Sequence, residues 1–281
     1  MQSVKYNDRR SEGETVLRQC QLVQLRILHI LDAICRGEGI KYSLAYGSLL
    51  GAIRHNGFIP WDDDLDVWMS AKDYKRFLRV AREWLPDDIM LHTPDMTPRV
   101  AIRFAKLRDK KSFMLELGQG MSVSDPSGIW IDIFPLEVCP RLPDSIVKIL
   151  ARSVLSPYFR AKWLLDKANG RIGATLVYAP LALVCKIVEV FTSLVWDILR
   201  LLLPGEKLIV LDALGANRLF DSNTMSRLTA HKFEDGLFPV PVDYNIVLTK
   251  IYGNWREIPP PDKRPRHARI IDPFNSASSF K

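Results

Sequence analysis

Tyr46-Gly47-Ser48-Leu49-Leu50-Gly51-Ala52-Ile53-Arg54-His55, followed by Ile59-Pro60-Trp61-Asp62-Asp63-Asp64-Leu65-Asp66, is the stretch on which the reading of this chain turns. Asp64 and Asp66 are separated by one residue. On a strand, alternate side chains point the same way, so both carboxylates would face one side. Two anions that close repel unless a cation lies between them, and oxygen-liking Mg²⁺ or Mn²⁺ suits that place. The Gly47-Ser48 turn upstream offers backbone N–H groups and a hydroxyl to phosphate oxygens. Metal-holding carboxylates beside a phosphate-cradling turn point to phosphoryl transfer.

Around this stretch the periodicity is readable. Ser11-Glu12-Gly13-Glu14 resembles a capping box opening a helix, with an apolar stripe at Val16, Cys20, Val23, Ile27, Ile30 and Ile34 that Gly37 and Gly39 end. Residues 40–46 predict a strand, Gly47-Ser48 a turn into a short helix through Arg54, and Asp64 to Met69 a second strand. Tyr74, Phe77, Leu78, Ala81 and Trp84 are spaced as a helix ended by Pro86. Val100 to Leu107 predicts a third strand, followed by Lys106 and Arg108 facing phosphate or solvent. Ile129 to Phe134 predicts a fourth, closed by Pro135. Asp132 in that apolar strand is costly to bury without a cation, and the Asp64/Asp66 pair is the obvious place for one.

Bulk composition narrows the class. The 281 residues are 47% hydrophobic and 25% charged, which describes a folded globular protein with room for a large core. A formal net charge of +7 fits an anionic partner such as a nucleotide, a phosphorylated glycan or an acidic membrane surface. Cys20, Cys35, Cys139 and Cys185 show no CxxC or Cys/His spacing, so free thiols are expected rather than zinc or a disulfide framework. The polar N-terminus lacks a signal peptide's apolar stretch, so the expected location is cytoplasmic. Asp144 to Leu203 reads as long helices, and Ala174 to Leu203 is strongly apolar but interrupted by Lys186, Glu189, Asp197 and Arg200. Either these helices bury their apolar faces internally or they lie in a membrane interface, in peripheral contact with the inner membrane surface. Pro259-Pro260-Pro261 and a basic segment around His267 precede a tail from Asn275.

Taken together, Tyr42 to His55, Gly57 to Asp66 and Asp73-Tyr74 resemble the LicD family, phosphotransferases related to the fukutin proteins and the yeast mannosylphosphate-transfer proteins. Ile131-Asp132-Ile133-Phe134-Pro135-Leu136 resembles its second block. Phe238 to Tyr244, Leu248, Tyr252-Gly253 and the segment around His267 resemble its third. The resemblance implies an α/β (α+β) nucleotidyltransferase-type fold, like DNA polymerase beta, with a short mixed sheet and an added helical subdomain. Residues 1–140 would form the catalytic core with its N-terminal helix. Residues 141–210 would be a helical, apolar-rich insertion, and residues 211–281 would complete the active site.

The resemblance also implies transfer of a phosphorylated alcohol, phosphocholine from CDP-choline first among them, onto a sugar of a surface or lipid-linked glycan. On that reading Asp64, Asp66 and Asp132 are catalytic and hold Mg²⁺ or Mn²⁺. Gly47, Ser48 and Arg54 bind donor phosphate. Asp132 takes the acceptor's proton, with His267 a second acid–base or substrate contact. Trp61, Trp68, Trp130 and Tyr46 are candidates for a quaternary-ammonium cage. Where the family often carries Arg before the Asp-Tyr pair, this chain has Lys72, which keeps the charge but not the planar fork. Competing readings are a nucleotidyltransferase or DxD glycosyltransferase with another nucleotide donor, or an inactive membrane-peripheral nucleotide-binding module. Dispersed basic residues without a recognised motif count against nucleic acid.

Overall fold

The structure is a computed structural model that describes residues 6–96, 103–117, 127–168, 172–211 and 218–276. It divides into two compact units. The first comprises residues up to His92, Ala105–Phe134 and Ser226 onward; the second comprises Thr93–Phe104 and Pro135–Met225.

In the first unit the chain runs α1 (Val16–Glu38), β1 (Tyr42–Leu44), α2 (Tyr46–His55), β2 (Asp66–Ser70), α3 (Ala71–Trp84), β3 (Ile89–His92), β4 (Ala105–Asp109) and β5 (Phe113–Glu116). It then enters β6 (Trp130–Pro140), which leaves this unit after Phe134. The strands order as β1-β2-β6-β4-β3, and the pairs β1/β2, β3/β4 and β4/β6 are antiparallel. After the second unit, β9 (Leu228–Phe233), β10 (Gly236–Pro241), α7 (Tyr244–Tyr252) and β11 (Ala268–Asp272) complete the first. β9 and β10 form a hairpin, and β11 pairs antiparallel with β5.

The α1 stripe is as periodic as its sequence: Val23, Ile27, Ile30 and Ile34 are fully buried. Its start differs from the expected capping box. Residues Arg10–Glu12 form a 3₁₀ turn and α1 begins at Val16, because the Thr15 hydroxyl accepts from Arg18 N at 3.1 Å and serves as N-cap. Gly39, at φ +61°, supplies the left-handed C-cap.

Three strand expectations need correction. β2 begins at Asp66, so Asp64 lies in the loop before it. Residues 97–102 of the expected Val100–Leu107 strand lie outside the described residues, and the strand found is β4, which contains Lys106 and Arg108. Both are buried and neither faces solvent: Lys106 pairs with carboxylates, and Arg108 donates to His92 Nδ1 at 3.0 Å and Gly128 O at 3.1 Å. Pro135 does not end β6. The register with β4 stops at Ile133 and that with β7 (Pro204–Val210) starts at Leu136, so no ladder bond is asked of the missing N–H.

The second unit holds the rest of β6, α4 (Asp144–Ala168), α5 (Ile172–Leu202), β7 (Pro204–Val210), β8 (Leu219–Asp221) and the short α6 (Ser222–Ser226). Cys139, Val147, Ala151, Val154, Trp196, Ile209 and Leu219 form its core. The internal-core reading of α5 holds for Ala182 and Trp196 and fails for most of its other apolar residues, among them Leu176, Leu183, Ile187, Phe191 and Leu201, which are exposed. Among the described residues no helix is long and apolar enough to cross a membrane. All four cysteines are free thiols.

One buried ion network ties both ends of the first unit to its sheet. Arg10 grips the fully buried Asp109 at the end of β4 through two bonds of 2.9 and 3.1 Å, and also reaches Asp8 and the carbonyl of Pro273. Removing Arg10 leaves Asp109 as a buried charge with only a longer 3.8 Å contact to Arg26. We expect Arg10→Met to cost about 3–5 kcal/mol in urea unfolding, and Arg10→Met/Asp109→Leu to recover much of it. A loss under about 1 kcal/mol for the single variant contradicts this account.

Candidate active site

The site grows from the junction of β1 and α2. Ala45, still extended, caps α2, and its N–H donates to Asp66 O at 2.9 Å. Tyr46 then takes φ +40°, a strained value for a residue with a side chain. Its ring is fixed against Trp68 and Phe134, with centroids 4.9 and 5.4 Å away. Gly47 and Ser48 fall within the first turn of α2. A Cβ at Gly47 would lie 2.6 Å from Asp62 Oδ2, so only glycine lets this carboxylate reach the positive end of the helix. Ser48 Oγ accepts from Asp66 N at 2.8 Å and fixes the start of β2.

Five aspartates converge here. The backbone N–H of Asp132 donates to Leu65 O at 2.8 Å, which sets β6 directly beside the Asp64-Leu65-Asp66 segment. Burial pushes the pKa of Asp66 well up, and the charges of Asp64, Asp132 and Asp62 add to it. Burial also lifts Asp132 to about 6, with Lys106 opposing. Asp62 is raised well above the ordinary range by burial and by Asp64, with which it shares a hydrogen bond; Asp64 is raised by burial while His267 pulls the other way. Asp62, Asp64 and His267 each offer a ligand atom, all within 4.8 Å of one another, a spacing that one ion can bridge. That grouping adds Asp62 and His267 to Asp64 and leaves out Asp66 and Asp132, the other two ligands that the resemblance implies.

Two cations offset this negative charge. Lys106, opposite Asp132 in the β4/β6 register, lies 2.9 Å from Asp132 Oδ1 and 2.8 Å from Glu116 Oε1, with its ammonium 4.2 Å from the Trp130 ring centre. His267 Nδ1 lies 3.0 Å from Asp63 Oδ1 and 3.1 Å from Asp64 Oδ2. Asp63 also accepts from the backbone N–H groups of His267 and Ala268. It is therefore a clamp that holds the β11 segment to the acidic loop, and these bonds outweigh burial to keep its pKa low. The hydrogen bond to Asp63 raises His267 to about 9, so the imidazole is cationic at neutral pH.

Arg54 sits in the last turn of α2 and donates to Trp255 O at 2.9 Å and Glu257 O at 3.3 Å, tying α2 to the C-terminal segment. Trp68, Trp130 and Tyr46 are buried, whereas Trp61 is partly exposed with the Arg264 guanidinium 4.0 Å from its ring centre. Lys106 and Glu116 were not singled out as a charge pair in the sequence. Lys106 alternates with apolar neighbours on a strand, and that placement of a cation was the available signal.

Because His267 has a raised folded-state pKa, its contribution to stability is complete below about 6.5 and is lost as pH rises through about 9. Discounted for a half-exposed ring, the effect is on the order of 1 kcal/mol. Wild type should lose stability over that window in urea titrations, and His267→Asn should show a flatter profile. Parallel profiles for the two proteins would count against the clamp.

Residues 39–138 match the family described as LicD/FKTN/FKRP, nucleotidyltransferase domain. The chain is 29% identical over 260 residues to the lipopolysaccharide cholinephosphotransferase LicD of Haemophilus influenzae, covering 89% of this chain and 96% of that protein. A shorter stretch of 40 residues is 45% identical to the ribitol 5-phosphate transferase FKRP of Homo sapiens, 14% of this chain and 8% of that one. The matched domain contains Gly47, Ser48, all five aspartates, Lys106 and Glu116; His267 lies beyond it. The acidic centre therefore lies inside the span that matches the LicD/FKTN/FKRP domain, in a chain similar to the Haemophilus influenzae LicD along nearly its whole length.

Proposed function

We propose that this protein is a phosphotransferase that moves a phosphorylated alcohol onto a sugar hydroxyl of lipopolysaccharide or another cell-surface glycan. Phosphocholine from CDP-choline is the leading donor, and CMP is the product that leaves. The observation that carries the reading is the buried carboxylate cluster at the start of α2, within the span matched to the family's nucleotidyltransferase domain. The relative aligned over 96% of its length supports choline and lipopolysaccharide. In the same reading the fold is of the DNA polymerase beta type, and the protein works at the cytoplasmic side.

The donor set fits a divalent metal. Asp62 and Asp64 share a hydrogen bond, and burial raises Asp66 and Asp132 as well, which is the condition of carboxylates lacking a cation. Asp64, Asp66 and Asp132, with Asp62 beside them, would hold Mg²⁺ or Mn²⁺. Held there, such an ion would supply positive charge against the donor's diphosphate and the departing CMP. The first turn of α2, at Gly47 and Ser48, directs its N–H groups and helix dipole toward phosphate oxygens. Arg54 is a further donor contact in this scheme, though its present bonds hold the C-terminal segment.

Asp132 accepts the proton of the acceptor hydroxyl; a carboxyl lifted to about 6 is ionised near neutrality yet basic enough for that role. His267, cationic up to about pH 9, cannot take a proton at neutral pH and instead contributes positive charge beside Asp64. Trp61 presents the aromatic face suited to a quaternary ammonium, since it already holds a guanidinium.

The test is incubation with Mg²⁺ and a panel of CDP-choline, CDP-ribitol and CDP-glycerol, with a glycan acceptor, while nucleotide products are identified. CMP release should be fastest with CDP-choline and fall by a factor of roughly 10³ or more in Asp66→Asn. Preference for CDP-ribitol would move the transferred group toward the ribitol 5-phosphate in the name of the shorter-matching relative. Pyrophosphate or a nucleoside diphosphate as product, or full turnover by Asp66→Asn, would overturn the assignment.

A further inference from the structure

We propose that the α4–α5 hairpin is a docking surface for an anionic lipid bilayer, on which it lies in the plane of the headgroups. The inference rests on the second unit alone and is independent of the transferase reading.

The first observation is the exposed side of α5. Leu176, Leu183, Ile187, Phe191, Leu194 and Leu201 are between 55% and 79% exposed. At about 100° per residue they fall on one side of the helix, and with their apolar neighbours they fill roughly half of its circumference. Lys186, Glu189, Asp197 and Arg200 all project from the other half. They are tied down there: Lys186 to Glu189 at 2.7 Å, Asp197 to Arg200 at 2.9 Å and Arg200 to Glu137 at 2.8 Å. A half-cylinder without charge, about 39 Å long from Leu176 to Leu202, greatly exceeds the scattered apolar exposure of an ordinary surface.

The second observation is charge, and it selects the occupant. Residues 145–203 carry eight Lys or Arg against three Asp or Glu, which supplies five of the chain's net seven positive charges. Residues 145–165, most of α4, contain no acidic residue at all. Its outward side presents Arg152 and Arg160 together with Ile149 and Trp163, exposed by 60% and 55%. Apolar side chains with a tryptophan and arginines that can extend to phosphate are the composition of an interfacial helix. Each basic residue near an anionic leaflet adds about 1 kcal/mol of attraction. A second copy of this chain would bring the same positive charge to the contact, which disfavours self-association as the cover.

Flotation of the full chain with phosphatidylcholine vesicles, with and without phosphatidylglycerol, tests the proposal. Wild type should float with the mixed vesicles, and the bound fraction should fall with added salt. Phe191→Ser/Leu194→Ser should lower partitioning roughly tenfold or more, and Arg152→Glu/Arg160→Glu should remove the preference for anionic lipid. Because Phe191 and Leu194 are exposed, the serine variant should keep the wild-type unfolding transition and the wild-type CMP release with a soluble acceptor. Three outcomes overturn the proposal: wild type stays in solution with both vesicle types, the double serine variant floats as wild type does, or sedimentation shows an oligomer that this variant dissolves. Failure of the transferase reading would appear in nucleotide release and leave flotation untouched.

Discussion

Five aspartates gathered in one buried place are an electrostatic problem that the first unit is built to hold. Their repulsion is contained by covalent order and by backbone bonds. Asp62 sits against the open end of α2, Asp63 is locked to β11, and Asp66 is fixed by Ser48. Asp132 is brought alongside by its own N–H to Leu65. Lys106 and His267 offset only part of the charge, and burial prevents water from screening the rest. The metal centre proposed above would relieve that repulsion, and so would protonation of the carboxylates.

The same constraint explains local features that otherwise look unrelated. Gly47 is glycine because a Cβ would collide with Asp62, and Gly57 because a Cβ would lie 2.5 Å from Glu234 Oε1. Glu234 accepts from Phe58 N and pairs with Arg18 at 2.6 Å, so the β9–β10 hairpin braces the loop leading to the acidic run. The C-terminal segment supplies His267. Residues far apart in the chain thus meet at one loop.

How far the sequence revealed this depends on the range of each interaction. The α1 stripe, α3 and the apolar β6 strand follow local periodicity and were legible. Asp132 was legible as a charge in an apolar strand in need of a cation, although its nearest cation is Lys106 on the neighbouring strand, a pairing fixed by register and invisible locally. Asp63 could not be told from Asp62 or Asp64, because its role depends on amides some two hundred residues away. The resemblance implied a phosphate role for Arg54, and nothing local in the sequence announced its bonds to the carbonyls of Trp255 and Glu257, some two hundred residues away. The β7–β8 and β9–β10 pairs went unpredicted, since their strands are short or interrupted by Pro239 and Pro241.

The most direct measurement is the melting temperature of metal-free protein, with and without Mg²⁺, at two pH values. Asp132 has a folded-state pKa of about 6 against an ordinary 3.8, so its ionisation opposes folding; the metal-free protein loses stability as pH rises between those values. Asp132 alone accounts for about 2–3 kcal/mol of this, and Asp62 and Asp66 act in the same direction. Mg²⁺ can take the place of those protons. It should raise the melting temperature by roughly 2–8 °C near about pH 7.5, less near about pH 5.5, and not at all in Asp64→Asn. Equal melting temperatures with and without Mg²⁺ at both pH values would contradict the claim that these carboxylates form a metal centre.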